Sequence, residues 1–145
     1  MEQDGVVSVG LVGYGYWGPN LARNLHQNKS SRFTACCDQS PERLALVRQA
    51  YPHVRVTERL QNLLDDPGVE AVAVATPART HYGIVRAALE AGKHVLVEKP
   101  ITTSSAEAQE LADLAERCGR VLMVGHTFEY NPAVWKIKDI LESGE

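Results

Sequence analysis

Three glycines at GxGxxG spacing, an aspartate twenty residues beyond the last of them, and a lysine closing an apolar run are the residues here whose types and spacing could do chemistry. The glycines are Gly13, Gly15 and Gly18, in the stretch Val9-Gly10-Leu11-Val12-Gly13-Tyr14-Gly15-Tyr16-Trp17-Gly18. Where a strand turns into a helix, this spacing gives each glycine a task. Gly13 permits the tight turn, Gly15 lets backbone approach a pyrophosphate, and Gly18 lets the helix pack closely on the strand. The helix that follows aims its unsatisfied N–H groups and the positive end of its dipole at the anion, so no dedicated lysine is needed. An ordinary tight turn competes with this reading as long as the glycines stand alone. Their context favours a dinucleotide. A strand-like run, Val6 to Val12, precedes them, an apolar stripe at helical spacing, Trp17, Leu21 and Leu25, follows, and Asp38 stands where an acid that holds the adenosine ribose belongs.

The Asp38 carboxylate can accept both ribose hydroxyls of NAD, whereas the 2′-phosphate of NADP would bring about two negative charges close to it. A like-charge pair at 4 Å costs about 4 kcal/mol at an effective dielectric of about 20, before screening. NAD is therefore the expected cofactor and NADP the less favoured one, with Arg43 the only nearby cation to offset the repulsion. A turn carboxylate or helix cap is the plainer alternative for Asp38. Lys99 follows an apolar strand and precedes Pro100, which projects it from the strand's carboxyl edge, where it could polarise a substrate hydroxyl or help accept its proton. Glu98 could anchor it. A surface lysine at a strand end is the plainer alternative. His81 and His126 each stand near a strand end, and for His126 a ring satisfied by nearby backbone is the simpler reading. His26, His53 and His94 read as surface or structural, and Tyr16 and Trp17 as packing more than as a substrate platform. No His, Cys, Asp or Glu cluster has metal-ligand spacing.

The elements that must position these groups alternate regularly. After the glycine loop, with Pro19 in the first turn, a helix runs to about Asn28 and a strand from Arg32 to Asp38. Ser40-Pro41 caps a helix with Leu44, Val47 and Ala50 inward. A short strand, Val54 to Val56, precedes a helix capped by Thr57 that carries Leu60, Leu63 and Leu64. Strand Ala71 to Ala75, helix Tyr82 to Ala91, strand His94 to Val97, a long helix capped by Ser104 or Ser105 and strand Val121 to Val124 follow. The long helix turns Ala108, Leu111, Ala115 and Cys118 inward. A last amphipathic helix begins at Pro132, with Val134, Ile137, Ile140 and Leu141 expected inward. Six strands alternating with helices force right-handed crossovers, hence an α/β doubly wound parallel sheet, the Rossmann fold, in the order 3-2-1-4-5-6. Ligand then binds beyond the carboxyl ends of the strands, where strands 1 and 4 part.

At 145 residues the chain reads as one dinucleotide-binding domain over 1-145, with a net charge of −3 and no basic run, which argues against nucleic acid or an anionic membrane as partner. No apolar stretch approaches the ~18 residues of a membrane span, and the acidic start is no signal peptide, so a cytoplasmic location is expected. Cys36, Cys37 and Cys118 are an odd number without redox spacing and read as free thiols. Cys36 and Cys37, neighbours on one strand, point to opposite faces.

Several longer motifs coincide as well: Ala75-Thr76-Pro77 followed by His81, and Ala91-Gly92-Lys93-His94-Val95-Leu96-Val97-Glu98-Lys99-Pro100. With these the chain resembles, over nearly its whole length, the amino-terminal nucleotide-binding domain of the Gfo/Idh/MocA oxidoreductases. The resemblance implies that Lys99 lies beside the nicotinamide ribose and the substrate as the candidate catalytic group. It also implies that Thr76, Pro77 and His81 line the cofactor site and that Lys99–Pro100 is a cis bond. The candidate cofactor-binding set is Gly13, Tyr14, Gly15, Tyr16, Trp17, Gly18, Asp38, Arg43, Thr76, Pro77, His81, Glu98 and Lys99. The Gly13-to-Asn20 and Gly125-to-Pro132 stretches are most similar to members that act on sugars or nucleotide-linked sugars. In the family a second α/β domain binds the substrate and supplies the Asp and His of a DxxxH pattern, which none of the five histidines here satisfies. The expectation is a cofactor-binding half of a sugar-type oxidoreductase, with that second domain absent, poor turnover alone, and self-association through the apolar surface left uncovered. The alternative is a non-catalytic NAD-binding or regulatory module that needs a partner chain.

Overall fold

A computed structural model describes residues 5–144. Its six strands are β1 (Val7–Val12), β2 (Ser31–Cys37), β3 (Arg55–Thr57), β4 (Ala71–Val74), β5 (His94–Val97) and β6 (Leu122–Val124). They form one sheet in the order β3-β2-β1-β4-β5-β6, and every neighbouring pair is parallel. The helices are α1 (Gly18–Gln27), α2 (Pro41–Ala50), α3 (Leu60–Leu64), α4 (His81–Glu90), α5 (Ser105–Cys118) and α6 (Pro132–Ser143).

The central strands are apolar on both faces, as parallel strands covered by helices on both sides must be. On one face Val9, Leu11, Phe33, Cys36 and Ala73 pack with Ala22 of α1 and with Leu44 and Val47 of α2. On the other, Val12, Cys37, Val72, Val74, Val95 and Val97 pack with α3, α4 and α5 through Leu63, Val85, Leu89 and Leu111. Adjacent residues such as Cys36 and Cys37 therefore enter different cores, which follows from the two-residue period of a strand. Burial pushes the Cys36 thiol up to about 12, with the charges of Asp38 and Cys37 adding to the shift. Burial followed by Asp38 pushes Cys37 up to about 11, so neither is a reactive thiolate at neutral pH. Among the described residues no helix is long and apolar enough to cross a membrane.

Local chemistry sets the helix ends. The Ser40 hydroxyl accepts the Arg43 N–H at the start of α2, Ser104 accepts the Glu107 N–H at the start of α5, and Gly119 closes α5 in the left-handed region at φ 63°. Four expectations are corrected. Thr57 does not cap α3 but ends β3, which is shifted by one residue from Val54–Val56; its hydroxyl accepts the Arg59 N–H and an Asn62 side-chain N–H. Ala50, the last residue of α2, is exposed, so only Leu44 and Val47 carry the buried face. Trp17 stands outside the buried stripe, as the N-cap of α1, leaving Leu21 and Leu25 to pack on the core. The fourth is α6. None of its residues is buried: Ile137 is 58% exposed and Leu141 75%, with Val134, Trp135 and Ile140 also exposed. The periodicity is genuine, but α6 follows the edge strand β6 and packs mainly on the short turn Thr127–Tyr130, so its apolar face meets no sheet.

The two apolar helices should therefore differ in their response to truncation. Leu111→Ala, in the core, is expected to lower the unfolding free energy by about 2–5 kcal/mol. Ile137→Ala should change it by no more than about 0.5 kcal/mol. Urea unfolding of the two variants measures both.

Candidate functional site

At the carboxyl edge of the sheet, β1 and β4 are neighbours while their following segments leave in opposite directions, which opens a crevice between them. A cavity of about 610 Å³ occupies it. Gly13, Gly15, Tyr16 and Trp17 line it from the β1 loop, Cys37, Asp38, Gln39 and Arg43 from the end of β2 and the start of α2, and Glu58 and Leu60 from beyond β3. Thr76, Pro77, Arg79, Thr80 and Ile84 line it from the β4 loop and α4.

The glycine loop is held by two hydrogen bonds to the end of β2. The Gly13 N–H donates to the Cys37 carbonyl at 2.8 Å, and the Tyr14 N–H donates to Asp38 Oδ2 at 2.6 Å. Gly13 has φ +96°, and a Cβ there would lie 2.7 Å from the Ala75 carbonyl oxygen, so both conformation and space demand glycine. A Cβ at Gly18 would lie 2.5 Å from the Gly13 carbonyl oxygen, which is the close helix-to-turn approach the third glycine permits. Gly15 differs from both. A Cβ there would meet only the Arg43 guanidinium, at 3.7 Å from Nη1, so this backbone faces open cavity. The N–H groups of Gly15, Tyr16 and Trp17 donate to no acceptor among the described residues. A cradle open at Gly15, with free N–H groups beside a helix start, fits the pyrophosphate of a dinucleotide.

Asp38 is 8% exposed. Besides the Tyr14 N–H it accepts the Ser40 N–H on Oδ1 at 2.8 Å, and Arg43 Nη1 stands 3.6 Å from Oδ2. The carboxylate thus staples the first loop to the second while still facing the cavity.

The structure brings Gly13, Gly15, Tyr16, Trp17, Asp38, Arg43, Thr76 and Pro77 together on the cavity wall. Tyr14 is placed behind the wall, with its ring in the core, where burial raises its phenol above the ordinary value. Gly18 lies beneath the loop. Lys99 and Glu98 stand beyond the cavity's edge at the end of β5, Lys99 exposed and its peptide to Pro100 cis, and the Glu98 carboxylate is close to Gly125 at the end of β6. His81 is buried and lines no part of the cavity, and His126 is exposed on its far side beyond β6. Gln39, Glu58, Arg79 and Thr80 line the cavity without having been singled out from the sequence. Glu58 and Gln39 directly follow β3 and Asp38, so applying the strand-end rule to every strand would have found them.

The fold and this site define a nicotinamide dinucleotide-binding domain. A family model described as "Oxidoreductase family, NAD-binding Rossmann fold" matches residues 7–126. The chain belongs to this family, the Gfo/Idh/MocA oxidoreductases. It is 36% identical over 138 residues to the uncharacterized oxidoreductase YdgJ of Escherichia coli strain K12, covering 95% of this chain and 39% of that protein. It is 31% identical over 143 residues to scyllo-inositol 2-dehydrogenase (NADP(+)) IolW of Bacillus subtilis, covering 95% and 38%. Among solved structures it is similar to GenD2 from gentamicin A biosynthesis in complex with NAD, at 33% identity and a TM-score of 0.85, over 91% of this chain and 38% of that one. The chain spans about two-fifths of the length of the curated relatives it matches.

The glycines separate folding from binding. Gly15→Ala should leave unfolding stability unchanged or raise it by up to about 1 kcal/mol, while weakening dinucleotide binding about a hundredfold or more. Gly13→Ala should cost about 1–3 kcal/mol of stability. Thermal unfolding and calorimetric titration of the two variants give the comparison.

Proposed function

We propose that this chain binds NAD in preference to NADP. We further propose that the protein it represents moves hydride between the nicotinamide and a hydroxyl-bearing carbon of a sugar or sugar-like polyol, with Lys99 handling the hydroxyl proton. The observation that carries the cofactor preference is Asp38. Two backbone N–H groups hold its carboxylate at the cavity wall, so it cannot swing away from an incoming 2′-phosphate. Arg43 is already drawn to Asp38, and Glu58 adds a second carboxylate to the same wall. Ribose hydroxyls complete such a surface, while a phosphate dianion is repelled by it.

When bound, the cofactor supplies the hydride acceptor or donor. Lys99, at the carboxyl end of β5, is exposed and makes no ion pair among the described residues. Placed against a substrate hydroxyl, the Lys99 amine would accept the hydroxyl proton as hydride leaves the carbon and the C–O bond becomes a carbonyl. In the reverse direction the resulting ammonium returns that proton to the carbonyl oxygen as hydride arrives at the carbon. The Glu98 carboxylate lies beside Gly125 at the end of β6 and is not part of the cavity wall. The polyol class is supported by the relative named as an inositol dehydrogenase and by the family to which the chain belongs.

Calorimetric titration with NAD and NADP tests this reading. NAD is expected to bind at least about tenfold more tightly. Asp38→Ala should weaken NAD about ten- to a hundredfold, from loss of charge-assisted hydrogen bonds, and bring the two affinities together. Equal affinity of the unaltered chain for both cofactors would overturn the preference.

A further inference from the structure

His81 is 1% exposed and is the first residue of α4, a helix seated in the core through Val85, Ala88 and Leu89. Its ring reaches two loops at once. Nε2 lies 2.8 Å from the Thr76 carbonyl oxygen in the loop after β4, and Nδ1 lies 2.7 Å from the Pro100 carbonyl oxygen in the loop after β5. Among the described residues no other side chain hydrogen-bonds both loops. Thr80 bonds only within the first, to Thr76 Oγ1 and the Pro77 carbonyl.

Carbonyl oxygens only accept, so the ring joins both loops only as the imidazolium cation, with a hydrogen on each nitrogen and its charge facing the two carbonyl oxygens. With hydrogen on one nitrogen, the lone pair of the other faces a carbonyl and that loop is released. The side chain also needs donors on opposite edges. Imidazole has that shape, whereas an amide carries its two donors on a single nitrogen. Both loops lie at the carboxyl edge on the β4 and β5 side, opposite the Asp38 end of the crevice. One contributes Thr76 and Pro77 to the cavity and the other carries Lys99.

We propose that His81 is a positioning residue that straps the Thr76–Pro77 segment to the Lys99–Pro100 segment by donating from both ring nitrogens. The strap sets the width of the nicotinamide end of the site without touching the cofactor. This rests on the reading of the cavity as a dinucleotide site. Because the strap acts at one end only, its loss separates two ligands that share the adenosine and pyrophosphate portions. ADP-ribose needs the glycine loop and Asp38, while NADH needs those and the strapped end.

The experiment combines two measurements on the 145-residue chain. In the first, ADP-ribose and NADH are titrated calorimetrically into the unaltered chain and into His81→Gln, which keeps one donor group. NADH affinity is expected to fall about tenfold, one hydrogen bond's worth, with ADP-ribose affinity within about twofold of the original. A parallel loss for both ligands, as general destabilisation would produce, or no loss for NADH, overturns the proposal. In the second, long-range ¹H–¹⁵N correlation spectra of the unaltered chain read the ring nitrogens of His81 directly and need no variant to fold. Both nitrogens are expected to carry hydrogen and exchange slowly with water, and one unprotonated nitrogen overturns the strap. If the unaltered chain binds neither ligand, the cofactor reading fails by itself, and the ring nitrogens still decide whether the strap exists.

Discussion

The hydrogen bond from the Tyr14 N–H to Asp38 Oδ2, at 2.6 Å, is the contact on which the rest of the site depends. A glycine-rich loop has many accessible conformations and loses more entropy than other loops when it is fixed. Here the loop is fixed by a carboxylate that the second strand presents beside it. That carboxylate is itself held by the Ser40 N–H at the start of α2. With Tyr14 pinned and Gly13 bonded to Cys37, the next three N–H groups have no acceptor among the described residues, and Gly15, Tyr16 and Trp17 line the crevice. The residue that would select the ribose is thus also the residue that shapes the phosphate cradle. Both roles call for a negative charge in that position.

The doubly wound sheet divides the crevice into two ends with different construction. The end built by β1, β2 and β3 is held through backbone and carboxylate contacts around Asp38. The end built by β4, β5 and β6 lies toward the sheet edge, and its loops carry Thr76, Pro77 and Lys99. Loops at an open edge are less constrained than those at the sheet centre. A buried side chain that reaches two of them does more for geometry there than it would in the core. Beyond this edge α6 packs on the Thr127–Tyr130 turn and leaves its apolar residues exposed.

Much of the fold was legible in the sequence because periodicity and punctuation agree. Alternating apolar runs, Ser40-Pro41, a serine at 104 or 105 and Gly119 mark elements that fold close to where the sequence places them, and the strand order is the doubly wound order expected for them. The site was legible where a residue type is demanded by backbone geometry, as at Gly13. It was less legible where placement depends on what is absent. An amphipathic stripe such as Val134, Ile137 and Ile140 reports that a helix has an apolar face, not which surface covers it. His81 was placed in the cofactor site by resemblance, yet its ring turns inward to two carbonyls, a distinction set by side-chain direction that spacing does not encode. Glu58 carries no sequence signal of its own, because the strand it follows, β3, is only three residues long.

The central claim is that free N–H groups of the glycine loop receive the pyrophosphate of a nicotinamide dinucleotide. The most direct measurement is the ¹H–¹⁵N amide spectrum of the chain followed during titration with NAD. The account predicts that the amides of Gly15, Tyr16 and Trp17 show the largest shifts and move together along a single binding curve. Shifts confined to other surfaces, with these three amides unmoved at saturating NAD, would contradict it.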